Sequence, residues 1–544
     1  MLKRGAAGAE EFDAVERAVV DHLFVLQPGN AVGLGLHEYD GRVPDLSAAG
    51  TEEWARGADQ LLARLATIRE SDLSADRRVD RLLLRLLLEA SLFSLRESQD
   101  LDRNPMAYVG AVSLTSYLIR DYAPAAERVA AIVRTLEAVP RLLADGRRRL
   151  NRPLPRPFVE LAISMGSGLP AHFAEAEAFA ATVGLGPKVA DARATAEAAV
   201  AQFLAWLRDE ELPRSVPEFA LGPTRFQRLL FVREGIEAPF AEMRAAGTED
   251  LRRNQARLAA IATEAGVPVK ELFRRISEDH PGATEVISTA TRYVAETREF
   301  VRQHDLVSIP APVAVRVEET PVWGRALSTA SMNSPGPFDA AAEGVYYVTP
   351  VDAKWPTPQQ NEWLRSLNRP MLRNITVHEV FPGHYLQFLH LRASSGSLTR
   401  KVYLSSSFVE GWAHYTEQLA IETGLGSPSP GAEVAQLHDA LLRNVRLLSA
   451  IGLHTEGWTV ERATELFERE AHLEHLPAQR EALRGTFDPE YFCYTLGKLA
   501  ILQARAKYLS SHFHGNLKAF HDALLGAGCP PVGLLDTVLT RTTA

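Results

Sequence analysis

Apolar residues recur at three- and four-residue steps through most of this chain, and that period restricts the available folds more than any other feature. Segments around Phe12–Leu26, Glu52–Ile68, Asp80–Leu95, Ala125–Leu150 and Pro170–Leu207 carry the pattern, with charges between the apolar positions. Alanine, leucine, arginine and glutamate, the strong helix formers, are abundant. Pro153, Pro155 and Pro157 punctuate one connection, and Pro213 and Pro217 another. The pattern predicts a mainly α protein.

Strand candidates are few. The run Val313-Ala314-Val315-Arg316-Val317 is rich in β-branched residues, and Gly344-Val345-Tyr346-Tyr347-Val348-Thr349 is β-branched and aromatic. The Ser/Asn/Gly/Pro-rich stretch between them, Ser328 to Pro337, reads as loop. A small sheet here would offer an edge strand to which an extended peptide could add through main-chain hydrogen bonds. Tyr347 is then a candidate substrate contact. The alternative is that the strands only brace the helix that follows.

That helix carries the densest chemistry in the sequence. His378-Glu379-Val380-Phe381-Pro382-Gly383-His384 is followed by Glu410-Gly411-Trp412-Ala413. Two imidazoles and a downstream carboxylate form the ligand set of a catalytic zinc site, which keeps one position open for water. Such a set suits Zn²⁺ better than Mg²⁺ or Ca²⁺. Glu379 stands where a general base is needed. The common zinc-hydrolase motif places its histidines at i and i+4, on one helical face. Here they are at i and i+6, about 120° apart on a regular helix. Pro382 lacks an N–H, and its ring would clash with the carbonyl of His378. A kink, bulge or distorted turn is therefore expected at Pro382 and Gly383. Glu410, His414 and Glu417 share one helical face. Glu417 is expected to contact a ligand histidine and fix its tautomer.

The segments HEVFPGHYLQ (His378 to Gln387) and EGWAHYTE (Glu410 to Glu417) resemble the bacterial domain-of-unknown-function family 885. That family is grouped by similarity with gluzincin-type zinc metallopeptidases. Glu410 lies in a stretch similar to the N-E-G-F-A segment of aminopeptidase N-like enzymes, so the resemblance maps the third zinc ligand onto it. The likeness continues through Gly452-Leu453-His454 with Gly457-Trp458, then Tyr494-Thr495-Leu496-Gly497-Lys498, and Phe520-His521-Asp522 before Gly528-Cys529-Pro530-Pro531. It implies a large α-helical, zincin-like metallopeptidase fold with a small sheet beside the metal helix. The expected reaction is hydrolysis of a peptide or amide bond, in short peptides, by a metal-activated water with Glu379 as base. A zinc hydrolase of a non-peptide amide, ester or lactone would use the same residues. A catalytically silent binding protein with a relict site is the remaining alternative.

Further candidates lie downstream. A tyrosine hydroxyl or a cation near the metal can stabilise an oxyanion, and a cation can bind a substrate carboxylate. Tyr494 and His454 are the catalytic candidates. Lys498 and Arg505, on one stripe with Tyr494, are the substrate-binding ones. His390 is expected on the solvent side of the metal helix. His512 and His514 read as part of a helix-ending turn, not as a metal site.

Composition bounds the rest. Hydrophobic residues make up 46% and charged residues 23% of the 544, as in ordinary globular proteins. The net charge of −9 leaves no electrostatic footprint for nucleic acid. Cys493 and Cys529 are too few for a disulfide framework. The first residues lack an apolar core of signal-peptide length, and the run Leu82–Leu88, interrupted by Arg85, is too short to span a membrane. A cytoplasmic location with no membrane partner is expected. No linker-like composition divides the chain, so residues 1–544 are expected to form one α-rich catalytic unit. Two lobes would meet near residue 310: 1–310 as a helical wall and roof, and 311–544 as the sheet and metal helices.

Overall fold

The structure is a computed structural model, and it describes residues 2–325, 328–511 and 516–540. His512 and His514 lie outside the described residues. Contacts divide the described chain into two compact units. One comprises the residues up to Arg233 together with Phe338–Ala341 and Ser397–Val402. The other comprises Glu234–Pro337, Ala342–Gly396 and the residues from Tyr403 onward. Residues 234–310 thus share a unit with the metal-motif helices. No helix among the described residues is long and apolar enough to cross a membrane.

The first unit is helical. Ser47 and Ser74 start the helices Ala48–Thr67 and Ala75–Leu92 by accepting hydrogen bonds from the backbone N–H groups of Gly50 and Arg77. The expected span Pro170–Leu207 is two helices, Leu169–Ala181 and Gly186–Trp206. Gly184 between them adopts φ +74°, a left-handed conformation that ends the first helix. Near the start of the unit, His37 stacks on Tyr122 at 3.5 Å between ring centroids. Its Nδ1 lies 3.3 Å from Asp40 and its Nε2 3.2 Å from Asp339. Tyr122 donates to the other Asp40 oxygen at 2.6 Å, and Arg120 donates to Asp339 at 3.2 Å.

The second unit contains a three-stranded sheet of order β1-β3-β2: β1 Ala314–Glu319, β2 Ala330–Asn333 and β3 Glu343–Val348. β1 runs parallel to β3, and β2 antiparallel to it. The sheet corrects two expectations. The presumed loop Ser328–Pro337 contains β2, whose four residues are too short to show a period of their own and are defined by pairing with β3. Tyr347 lies on the central strand, not an edge, and β3 is buried from Gly344 to Val348.

Seven helices of this unit position the site: α1 Phe240–Glu264, α2 Val286–Gln303, α3 Arg369–Glu379, α4 His384–Ala393, α5 Ser406–Glu422, α6 Gly431–Thr455 and α7 Cys493–Ser511. On α5, Phe408, Trp412, Tyr415 and Leu419 recur at helical spacing and join a core with Val380, Phe381, Tyr385, Tyr346 and Ile501. Full burial of each large side chain contributes about 1.5–3 kcal/mol. The opposite face of α5 carries Glu410, His414 and Glu417, so the apolar packing fixes where the polar face points. α5 crosses α7 at glycine on glycine. A Cβ on Gly411 would lie 2.4 Å from Gly497 Cα, and one on Gly497 would lie 1.7 Å from the Ser407 carbonyl oxygen. No other residue type permits this approach, and it sets the α7 backbone beside the site.

Candidate metal centre

The site begins with a helix break. Val380 leaves helical geometry at φ −118° and ψ −78°, the Phe381–Pro382 peptide is cis, and α4 restarts at His384. This is a full interruption, not a kink within one helix. Gly383 N–H donates to the Val377 carbonyl at 3.0 Å, and Leu386 N–H to the Val380 carbonyl at 3.2 Å. A Cβ on Gly383 would lie 1.8 Å from the His378 carbonyl oxygen, so the return of the chain requires glycine. Trp412 Nε1 donates to the Pro382 carbonyl at 2.9 Å and ties the turn to α5.

The result brings His378 and His384 together, with ring centroids 4.8 Å apart and planes at 84°. Glu410 Oε2 lies 3.5 Å from His378 Nε2 and 3.6 Å from His384 Nε2. Two metal–ligand bonds of about 2.1 Å at a near-tetrahedral angle separate their ligand atoms by about 3.4 Å. The three side chains form the one His/Cys/Asp/Glu group with metal-holding geometry among the described residues. Glu410 Oε2 is buried and has no hydrogen-bond partner there. An unpaired buried carboxylate oxygen is costly, and it fits an atom reserved for a cation. The donor set, two imidazole nitrogens and one carboxylate, fits Zn²⁺.

A buried network holds the first histidine. Glu417 Oε1 lies 2.6 Å from His378 Nδ1, which leaves Nε2 directed at Glu410. Arg443 on α6 grips both oxygens of Glu417, at 3.1 and 3.3 Å, and lies 3.5 Å from Asp439. Asn374 on α3 donates to Asp439 at 2.8 Å. Burial pushes His378 down, but Glu410 and Glu417 outweigh it and hold its pKa up at about 10. Burial raises Glu417, but Arg443 and His414 hold it well below the usual carboxylate range. Burial likewise raises Glu410, and His378 and His384 bring it well below that range. Glu379 closes α3 half-buried. Burial raises its pKa, while the imidazoles of His378 and His384 draw it down and Glu410 pushes it up.

Of the downstream candidates, Tyr494 feels the charge of Glu410. Its ring lies 5.0 Å from the Arg446 guanidinium and 5.6 Å from that of Arg443. Burial, then the charge of Glu410, pushes its hydroxyl up to about 12. The others are committed elsewhere. Lys498 is fully buried and donates to Asp250 on α1 at 2.7 Å, so it cannot meet a substrate carboxylate. Arg505 binds Tyr415 and Glu422 of α5 at 3.1 and 2.9 Å. His454, buried at the end of α6, bonds the Gly485 carbonyl at 2.8 Å and does not join the three ligands. His390 is buried against the Ser308 carbonyl at 2.7 Å, not on the solvent side. Tyr347 shares charge interactions with Arg316 and Glu318, whereas its neighbour Tyr346 faces Thr376 of α3 at 3.4 Å. Sequence reading passed over Arg443, Asp439 and Asn374. The available signal was the spacing of Asp439 and Arg443 at i, i+4 on α6.

Fold and site define a mainly α-helical protein with a small three-stranded sheet and a His/His/Glu cluster between helices. The chain belongs to the family described as bacterial protein of unknown function (DUF885), whose model matches residues 28–539. No curated protein matches it. It is similar in fold to a candidate lipoprotein of unknown function from Shewanella oneidensis, at TM-score 0.81 and 23% identity, covering 98% of this chain and 100% of that one. It is similar also to a candidate lipoprotein from Colwellia psychrerythraea, at TM-score 0.80 and 16% identity, covering 99% of each chain.

Proposed function

We propose that the protein is a zinc-dependent hydrolase of peptide or amide bonds with a gluzincin-like, zincin-type catalytic arrangement. The carrying observation is the buried, unpaired Glu410 oxygen set 3.5 and 3.6 Å from two imidazole nitrogens. His378, His384 and Glu410 would hold the ion. Zn²⁺ bound there would polarise a substrate carbonyl and lower the pKa of a water. Glu379, adjacent in sequence to His378 and raised by burial, accepts that water's proton and passes it to the leaving amine. Tyr494 offers a donor to the developing oxyanion, because its hydroxyl makes no hydrogen bond among the described residues and two guanidinium groups flank its ring. β2, the edge strand beside α3 and α4, is the natural docking edge for an extended short peptide, replacing the role first given to Tyr347.

Elemental analysis of the purified protein tests the ligand set. About one zinc per chain is expected, and no uptake on adding zinc removes the assignment. A panel of short peptides of varied length, set beside esters and lactones and run with and without chelator, then identifies the bond cleaved. Chelator-sensitive hydrolysis confined to esters or lactones would replace the peptide reading.

A further inference from the structure

The two histidines of the centre are not equally supported. His378 has Glu417 on its second ring nitrogen. His384 Nδ1 is buried and has no hydrogen-bond partner among the described residues. One turn along α4, Gln387 is 1% exposed, and both its amide oxygen and its amide nitrogen are without partners there. A buried, unsatisfied polar atom is destabilising, so a wholly unpaired amide in a packed helix calls for a reason.

The local geometry supplies one. Gln387 N–H donates to the Gly383 carbonyl at 3.0 Å, so residues 383–387 form a true helical turn. Positions i and i+3 then lie about 5–6 Å apart between Cβ atoms. Side chains on a helix lean towards its N-terminus, so Gln387 extends over the turn that begins with His384. His384 directs Nε2 towards Glu410, which leaves Nδ1 on the other edge of its ring. With Nε2 used as a ligand, Nδ1 carries the proton and needs an acceptor.

We infer that Gln387 is the positioning residue of His384: its amide oxygen accepts the Nδ1 proton, directly or through one buried water, when the site is loaded. The inference rests on the metal reading above. It gives the centre two different supports, a charged carboxylate behind His378 and a neutral amide behind His384.

The test is Gln387→Met, close in volume but without an acceptor. Metal affinity is read by competition with a chromophoric chelator, the ligand field by the absorption of the Co²⁺-loaded protein, and stability by thermal unfolding of the metal-free protein. A fall in Zn²⁺ affinity of about 10–100-fold is expected, with an altered Co²⁺ spectrum. The metal-free variant should melt no lower than the wild type, because the lost amide was unpaired. Gln387→Glu, which restores an acceptor, should recover most of the affinity. Wild-type affinity and spectrum in Gln387→Met, with a lowered melting temperature, would make Gln387 a packing residue and overturn the inference alone. Failure of the wild type to bind Zn²⁺ or Co²⁺ at all would overturn the metal reading with it.

Discussion

Each unit of the molecule holds a cluster of histidine, two carboxylates and an arginine, and the two clusters are finished differently. Around His37 in the first unit, both ring nitrogens have carboxylate neighbours, Tyr122 covers the ring and Arg120 closes on Asp339. In the second unit, Glu417 is held by Arg443 in a similar way. Other polar atoms there are left open: Glu410 Oε2 and His384 Nδ1 lack partners among the described residues. The same residue types thus make a structural knot in one place and a candidate reaction centre in the other. What separates them is where the polar valences are left open.

The comparison breaks first at Glu379. Glu379→Gln should leave zinc content intact and lower turnover on the identified substrate by about two to four orders of magnitude, because an amide cannot take the water's proton. Retention of most wild-type turnover would remove Glu379 as the base.

Arg443→Met probes the support behind His378. It strands Glu417 as a buried, uncompensated charge, a loss of about 3–5 kcal/mol in unfolding free energy. Denaturant unfolding measures it, and zinc affinity should fall with it as His378 loses its anchor.

His37→Gln tests the other cluster. Burial lowers the pKa of His37, but Asp339 and Asp40 outweigh this and raise it to about 9. A histidine raised in the folded state stabilises fully below its unfolded value of about 6.5 and loses that contribution as pH climbs through 9. The variant should therefore lose about 1–2 kcal/mol at pH 6 and less at pH 9.5. Zinc content and turnover should not change; a drop in either would mean that the knot is not purely structural.

The smallest effect is expected at Glu234, which receives hydrogen bonds from Ser405 and the Ser407 N–H at the start of α5. Burial pushes its pKa up to about 7. An acid raised in the folded state stabilises fully below its unfolded value and loses that contribution as pH rises through 7. Glu234→Gln should flatten the fall in stability between pH 5 and pH 8. An unchanged slope would assign the pH dependence to other groups.

Much of this was legible in the residues themselves. The helical period gave the class. The pairing of proline and glycine between two histidines required a distortion of the metal helix, but not the full interruption that the structure shows. The strand β2 was not legible, because four residues leading into a Ser-Pro-Gly-Pro run have no pattern until β3 pairs with them. Lys498 and Arg505 misled for a related reason. Helical spacing puts them on a stripe with Tyr494, but the partner met by each point on that stripe, Asp250 or Glu422, comes from other helices.

By itself, then, the sequence determined the local facts: the helices, the broken turn at Pro382-Gly383, and a donor set of two imidazoles and a carboxylate. The helices and the turn follow from dihedral sterics and periodicity within a dozen residues, whereas Glu410 was assigned through the family resemblance. Only the tertiary structure decided which polar groups meet. It set Glu417 on His378, Arg443 on Glu417 and Lys498 on Asp250, and it left the Glu410 oxygen open. Such pairings join residues dozens to hundreds of positions apart, and they are fixed by apolar packing on the opposite faces of the same helices, such as Phe408 and Trp412 on α5, and by the glycine contact of α5 with α7.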